Sequence, residues 1–233
     1  MKRIDPAARY LIVNADDFGA SRGVNRAIID CHQKGILTST SLMVTGPALD
    51  DAVRLSRENP NLAIGLHFDV WGEDERQWDT RNIPATREEF FRQLEDFQKA
   101  VGRMPTHIDS HRHAHRQDHL MPHFRQWVEP TGLPLRHTGQ VRFVGGLYAQ
   151  WEWMVTELKY VSVEFLQEML RSEVPAGMVT EFSCHPGYIS DDYTAVYLAE
   201  REQEVKTLID PRIRQTIDEL GIRLISYADY AKL

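Results

Sequence analysis

Short apolar runs alternate along this chain with stretches of helical periodicity, and that alternation predicts the fold class. Continuous apolar runs are expected to be strands, because a strand buried on both faces of a parallel sheet carries few polar positions. The predicted strands are Arg9–Asn14, Ser39–Val44, Leu62–Phe68, Thr106–Ser110, Val179–Cys184 and Ile222–Ser226, with a weaker one at Leu133–Arg136.

Helix start and stop signals lie between these runs. Ser21 precedes an apolar-periodic stretch, and Gly35 is expected to end it in a left-handed conformation. Thr86 and Glu89 have the spacing of a capping box, ahead of a helix that Gly102 is expected to close. Repeated strand–helix units predict a parallel sheet covered by helices, and the periodicity leaves open whether that sheet is closed or open.

The stretch from Gly139 to Val161 fits no strand–helix unit. It is rich in glycine and aromatic residues and is interpreted as a long loop or irregular insert. The chain has no internal repeat, low-complexity tract or linker, and 233 residues suit one domain better than two. Residues 1–233 are therefore predicted to form a single α/β domain.

Charge and composition bear on possible partners. The formal net charge is −7 and the basic residues are scattered, so there is no electrostatic reason to expect a nucleic-acid or anionic-membrane partner. The apolar run Tyr10–Val13 is too short for a signal peptide or a membrane span. The two cysteines have no paired spacing. A cytoplasmic protein is the expectation.

Two adjacent carboxylates, Asp16 and Asp17, follow the first predicted strand and precede a turn at Gly19. The carboxyl ends of parallel strands border the ligand site in α/β folds, so acidic residues have a functional reason to be there. On an extended backbone the two side chains point in opposite directions, which predicts different roles. The alternative is that one carboxylate caps the following helix while the other is solvated.

Histidines are concentrated in residues 107–123, which contain six of the ten in the chain. Five polar residues of this stretch alternate in sequence, so on an extended segment they would share one face. They are His107, Asp109, His111, His113 and His115. Imidazoles and a carboxylate on one face of a strand end are typical of a divalent-metal or catalytic site. A surface loop is the alternative, above all for His119 and His123, whose spacing is helical.

Two further histidines lie at predicted strand ends. His67 interrupts an apolar run, and His185 precedes a proline–glycine turn. A lone histidine in such a place is usually structural. Strand ends meet at one edge of a sheet, however, so His67 could converge with Asp17 and His111, and this set leaves open metal positions for water. His185 could serve as a general acid.

Together these motifs resemble the YdjC-like carbohydrate deacetylase family. They occur in the family's order over residues 11–188. The matching segments are Asn14-Ala15-Asp16-Asp17-Phe18-Gly19, Gly35-Ile36-Leu37-Thr38-Ser39-Thr40-Ser41-Leu42-Met43, Gly65-Leu66-His67, Thr106-His107-Ile108-Asp109-Ser110-His111-Arg112-His113-Ala114-His115 and Cys184-His185-Pro186. The resemblance implies a distorted β/α barrel of about seven strands, of the glycoside hydrolase/deacetylase type. It also implies a metal-dependent enzyme that removes acetyl groups from an N-acetylated sugar.

The resemblance also implies roles for individual residues. Asp17, His67 and His111 would hold a divalent metal, Asp16 would be the general base, and His185 would line the site and could be the acid. The family leads us to expect magnesium and a homodimer, with zinc or another transition metal as the alternative.

The substrate is the least determined part of this interpretation. Asp109, His113 and Trp71 are expected to bind it, and tryptophan offers a sugar ring a flat apolar surface. The loop from Asp69 to Ala85 is more compact and more charged than the family's stretch, which leaves the sugar open. The alternatives are another metal-dependent amidohydrolase or a phosphoesterase on the same barrel, and a non-catalytic carbohydrate-binding protein.

Overall fold

The computed structural model describes residues 4–72, 77–192 and 195–233 of the chain. Strands and helices alternate through these ranges, as the alternating apolar and helical patterns of the sequence require. In chain order they are β1 Arg9–Phe18, α1 Arg22–Lys34, β2 Ser39–Leu42, α2 Leu49–Glu58, β3 Ala63–Phe68, α3 Ile83–Val101, β4 Ile108–Ser110, α4 Met121–Val128, β5 Arg142–Val144, α5 Val163–Ser172, β6 Val179–Cys184, α6 Ala199–Leu208, α7 Pro211–Glu219, β7 Ile222–Leu224 and α8 Tyr227–Tyr230.

The strands form one parallel sheet in the order β4-β3-β2-β1-β6-β5, and β7 pairs with the first residues of β1. This sheet curls into a half-barrel covered by helices, which confirms the predicted distorted β/α barrel. Because β1 lies at the centre, its carboxyl end has the ends of β2 and β6 on either side. No helix within the described ranges is both long enough and apolar enough to cross a membrane.

Two strand predictions differ from the structure. The weak candidate Leu133–Arg136 forms only a parallel bridge between Leu135 and Ile108, not a strand. The insert predicted to be irregular contains β5, whose three residues are all half-buried and pair with β6. This strand has only three residues, none of them is fully buried, and glycines follow it. The sequence therefore shows no hydrophobic periodicity there.

Two helix-end predictions also differ. The third helix begins at Ile83, where Asn82 accepts a hydrogen bond from the Ala85 N–H at 3.3 Å, so the predicted capping box at Thr86 is wrong. Gly35 is not left-handed, with φ −120°. It is glycine because a Cβ there would lie 2.3 Å from the Leu208 carbonyl oxygen. The left-handed terminator at Gly102, with φ 81°, is confirmed.

An aromatic cluster packs behind the strand that carries His67. Phe68 contacts Phe90 and Phe124 edge-to-face, with ring centroids 5.9 and 5.2 Å apart, and Trp127 stacks on Phe90 at 5.9 Å. Successive side chains of a strand point to opposite faces. Packing of Phe68 against the helices therefore directs His67 to the other side of β3.

Removal of Phe90 should show how much this cluster stabilises the fold. Phe90 is fully buried, and Phe90→Ala should lower the free energy of unfolding by about 3 to 5 kcal/mol through lost burial and a residual cavity. Gln98→Ala, exposed on the same helix, should change it by less than about 0.5 kcal/mol. Urea titrations of both variants measure the difference, and equal losses would contradict this assignment of the core.

Candidate active site

Both carboxylates of β1 lie at the carboxyl end of the sheet, next to His67. The register of β1 against β2 shifts just before Phe18, and Asp17 has a left-handed φ of 69°. A bulge of this kind breaks the alternation of side chains. Asp16 and Asp17 each place an oxygen within 4.8 Å of a His67 nitrogen, so the prediction of opposite directions is wrong. Neither caps α1, because Ser21 does.

Asp17, His67 and His111 form a buried group. Asp17 Oδ1 is 3.3 Å from His67 Nε2 and 3.1 Å from His111 Nδ1. Two donors at right angles on a metal, each bound at about 2.1 Å, lie about 3 Å apart, so these separations suit a shared cation. His111 Nδ1 and His67 Nε2 both face the same oxygen of Asp17, so two imidazoles and one carboxylate each turn one donor atom toward a common point, a donor set typical of divalent metals. The three residues fit a divalent metal.

A second carboxylate holds His67 from the other side of its ring. His67 Nδ1 lies 2.6 Å from Asp109 Oδ1. Such a contact fixes which ring nitrogen is available to a metal. Burial would lower the pKa of His67, but Asp109 and Asp17 together raise it well above its ordinary value. Because Asp109 holds Nδ1, the other ring nitrogen of His67, Nε2, is directed at Asp17.

Asp109 itself is fully buried. Its second oxygen, Oδ2, accepts a hydrogen bond from Ser41 Oγ at 2.6 Å and lies 2.8 Å from the Arg136 guanidinium. Both oxygens thus have partners inside the protein. Direct contact with a substrate, which the sequence predicted for this residue, is not what the geometry provides. Asp109 orients His67 instead.

Arg136 is a buried cation that the sequence did not reveal. Its guanidinium donates to both oxygens of Asp16 at 2.7 Å and to Glu181 Oε1 at 2.6 Å. Burial would raise the pKa of Asp16, but Arg136 lowers it below the ordinary value. Asp16, His67 and Asp109 also lie close enough to bind a cation. Arg136 already contacts both carboxylates of that group, which leaves Asp17 with His67 and His111 as the better metal site.

Glu181 is a further partner of Arg136, and one feature of the sequence could have identified it. It is the one charged residue in the buried strand β6, where a charge needs a partner. Its Oε2 accepts a hydrogen bond from the Tyr227 hydroxyl at 2.6 Å. Arg136 lies in an irregular segment and Arg201, described below, in a highly charged helix, so neither stood out from its neighbours.

His185 lies on the other side of Asp16. Its Nε2 is 3.9 Å from Asp16 Oδ2, and its side chain is 24% exposed. Burial lowers the pKa of His185, although Asp16 and Asp17 oppose that effect. Its Nδ1 is buried and has no partner among the described residues. The structure thus brings both predicted acid–base residues to the same space.

The histidine-rich stretch does not continue as a strand. After β4 the chain turns into a 3-10 segment at His111–Arg116, in which Arg112 and His113 are left-handed, with φ 49° and 51°. The predicted shared face therefore ends at His111. The His113 ring packs against His137 and Phe143, with centroids 5.0 and 5.6 Å away.

Two other histidines of the stretch have structural partners. His107 stacks on Tyr227 with centroids 3.8 Å apart, and a Cβ at Gly65 would lie 2.4 Å from the His107 ring. His115 Nδ1 lies 2.6 Å from Ser110 Oγ. His107 and His115 are thus held by partners outside the group of Asp17, His67 and His111.

Trp71 lies in the loop after β3. It is half-buried, its indole N–H donates to the Trp78 carbonyl at 3.3 Å, and its backbone N–H donates to Asp69 Oδ1 at 3.0 Å. Part of the predicted compact loop, residues 73–76, lies outside the described residues. A role for Trp71 in substrate binding stays a prediction.

Helix α6 holds the backbone of His185. Glu204 is fully buried, and its two oxygens accept hydrogen bonds from the His185 N–H and the Tyr197 hydroxyl, each at 2.5 Å. Burial raises the pKa of Glu204 from 4.5 to about 7, and the two hydrogen bonds reduce that rise. This carboxyl should ionise near neutral pH.

Ionisation of Glu204 should cost stability as the pH rises. A carboxyl whose pKa is raised in the folded chain contributes stability that is complete below 4.5 and lost as the pH passes through about 7. The free energy of unfolding of Glu204→Gln relative to wild type should therefore rise by roughly 2 to 3 kcal/mol between pH 5 and pH 9. Denaturant titrations measure this slope, with exposed Glu219→Gln as the control. A difference that does not vary with pH would contradict the assignment.

Known structures with this fold include carbohydrate esterases. A solved structure from Enterococcus faecalis V583, named for cellobiose-phosphate cleavage, superposes with a TM-score of 0.80 at 26% identity, over 96% of this chain and 99% of that one. A family 4 carbohydrate esterase from Streptomyces lividans, solved with acetate, gives a TM-score of 0.56 at 15% identity, over 94% and 92% of the two chains. The second likeness concerns the fold alone.

Sequence relatives point to one family. A carbohydrate deacetylase of Geobacillus stearothermophilus is 32% identical, over 97% of this chain and 99% of the relative. A chitooligosaccharide deacetylase of Serratia marcescens is 31% identical, over 95% and 99%. The family model described as YdjC-like protein matches residues 10–219. This chain therefore belongs to the YdjC-like family.

Proposed function

We propose that this chain is a metal-dependent hydrolase that removes the acetyl group from an N-acetylated sugar. The observation that carries the proposal is the buried Asp17–His67–His111 group next to the acid–base pair Asp16 and His185. Two relatives that cover almost the whole chain are named as carbohydrate or chitooligosaccharide deacetylases, which supports acetylated sugars as the substrate class.

Asp17, His67 and His111 would hold the metal. A bound divalent cation would supply an activated water and polarise the acetamide carbonyl. Magnesium is favoured by the family resemblance, whereas a site with two imidazoles also suits zinc or another transition metal. The cytoplasmic location and the homodimer stay predictions.

Asp16 is the general base of this proposal. Its Oδ2 accepts one hydrogen bond from Arg136, at 2.7 Å, and faces His185 at 3.9 Å. That oxygen would take the proton of the attacking water, while Arg136 keeps the carboxylate ionised and in place. The same guanidinium also prevents rotation of Asp16, because both carboxylate oxygens are bound to it.

His185 is the general acid. A departing sugar nitrogen needs a proton, since an amide anion is a very poor leaving group. Burial lowers the pKa of His185, which makes its protonated form a stronger acid toward that nitrogen. The 3.9 Å between His185 Nε2 and Asp16 Oδ2 lets both act on one bond.

An aromatic row leads outward from His185 and offers a surface for the sugar. Tyr148 is half-buried, and its ring lies 5.8 Å from His185 and 6.0 Å from Trp151, which is 60% exposed. Flat aromatic rings bind the apolar faces of sugars. We propose Tyr148 and Trp151 as substrate contacts, together with His113 and Trp71 from the sequence prediction.

Acetate release tests the proposal. With N-acetylated mono-, di- and oligosaccharides, Asp16→Asn should lower turnover by at least about 100-fold and retain metal binding. Asp17→Asn and His111→Ala should lose the metal and the activity together. Chelator treatment should abolish turnover and added metal should restore it. His119→Ala, exposed outside the group, is the matched control.

Other outcomes would favour a different function. Retention of both metal and activity in Asp17→Asn and His111→Ala would refute the proposed site. Phosphate release from a generic ester without acetate release would indicate a phosphoesterase. Sugar binding that persists in Asp16→Asn, with no turnover in wild type, would indicate a binding protein.

Trp151 and Trp153 form a matched pair for the sugar surface. Both are exposed, at 60% and 73%, but Trp151 contacts Tyr148 in the row that begins at His185. Trp151→Ala should lower kcat/KM for a trisaccharide about tenfold, the value of one aromatic contact, and leave the monosaccharide unchanged. Trp153→Ala should change neither. Equal effects of the two substitutions would remove Trp151 from the substrate surface.

A further inference from the structure

Helix α6 turns a row of charged side chains toward the protein interior. Glu200, Arg201 and Glu204 are all buried, although the helix is largely charged. A buried charge is costly unless it is paired, so each of these residues needs a partner. Glu204 contacts the His185 backbone and Glu200 contacts Gln150. Arg201 reaches the proposed metal site.

Arg201 connects the metal ligand Asp17 with the segment that carries His185. Its guanidinium donates to Asp17 Oδ2 at 2.7 Å, to the Tyr197 carbonyl at 3.0 Å and to the His185 carbonyl at 3.3 Å. The side chain is only 5% exposed. The ion pair with Asp17 is therefore little screened by solvent.

The turn after His185 is shaped around this arginine. The Gly187 N–H donates to the Arg201 carbonyl at 3.3 Å, and a Cβ at Gly187 would lie 2.9 Å from Arg201 Cδ. Glycine at this position lets the aliphatic part of the arginine pass. The His-Pro-Gly sequence thus makes room for Arg201 as well as presenting His185.

The two oxygens of Asp17 have separate partners. Oδ1 is directed at His67 and His111, and Oδ2 is bound to Arg201. Asp17 therefore faces the two imidazoles with one oxygen while the other is held by a permanent cation. We propose that Arg201 is an internal counter-cation that limits the affinity of the site for a divalent metal. This inference rests on the metal site of the proposed function.

An orienting role and a counter-cation role predict opposite effects on affinity. Loss of a residue that only orients a ligand weakens metal binding about 10- to 100-fold. Loss of a cation next to the ligand removes repulsion of the metal, and the metal-free state also loses the partner of Asp17. The bulge in β1 and the contacts of Oδ1 hold Asp17 without Arg201. We therefore expect tighter binding when the charge is removed.

Calorimetric titration of the chelator-stripped full chain with Mn²⁺ separates the two roles. Arg201→Gln is neutral and can still donate a hydrogen bond, and it should bind Mn²⁺ at least tenfold more tightly than wild type. Arg201→Lys retains the charge and should stay within threefold. Glu200→Gln is the matched control, because this buried charge on the same helix faces Gln150 rather than the site. It should also stay within threefold.

Unchanged or weaker binding in Arg201→Gln overturns the inference, and equal tightening in Arg201→Lys overturns its electrostatic basis. If Arg201→Gln does not fold, Arg201→Met, which is neutral and keeps a long aliphatic side chain, is the second variant. It should bind Mn²⁺ at least tenfold more tightly than wild type, and unchanged or weaker affinity there overturns the inference. If the wild type binds Mn²⁺ but the variants show none of these changes in affinity, the inference about Arg201 is refuted and the proposed metal site is not. If neither wild type nor Arg201→Gln binds Mn²⁺, the proposed metal function falls as well.

Discussion

The balance of buried charge is the constraint on which the rest of the site depends. Four carboxyl groups lie within the half-barrel at the strands β1, β4 and β6, and two guanidinium groups of the described residues contact them. The carboxyl groups are Asp16, Asp17, Asp109 and Glu181, and the cations are Arg136 and Arg201. An unpaired buried charge costs several kcal/mol. Asp17 Oδ1 faces two imidazoles rather than a guanidinium, which gives this place an electrostatic reason to bind a divalent cation.

The two arginines divide this charge unequally. Arg136 binds Asp16 through both oxygens and also contacts Asp109, so both carboxylates already have a cationic partner. Arg201 donates to one oxygen of Asp17, and the other oxygen is directed at two imidazoles. The protein thereby separates a carboxylate suited to proton transfer from a carboxylate suited to metal binding, although the two are adjacent in sequence.

The strand-end rule predicted the central part of this arrangement. Asp17, His67 and His111 end β1, β3 and β4 or follow directly, and the parallel sheet brings those ends together. Arg136 and Arg201 escaped prediction because long side chains reach the site from an irregular segment and a helix, where no periodicity marks them. The bulge that turns Asp17 was equally hidden, since it depends on how β1 pairs with β2.

His185 illustrates why the site needs elements that the sequence pattern did not reveal. Its backbone N–H is bound by Glu204 and its carbonyl by Arg201, both from α6. Its side-chain Nδ1 has no such partner among the described residues. The main chain is therefore fixed, whereas the ring can gain or lose a proton without breaking a hydrogen bond at Nδ1. A group that must deliver a proton at a fixed place requires this combination, because position and protonation state are then controlled separately.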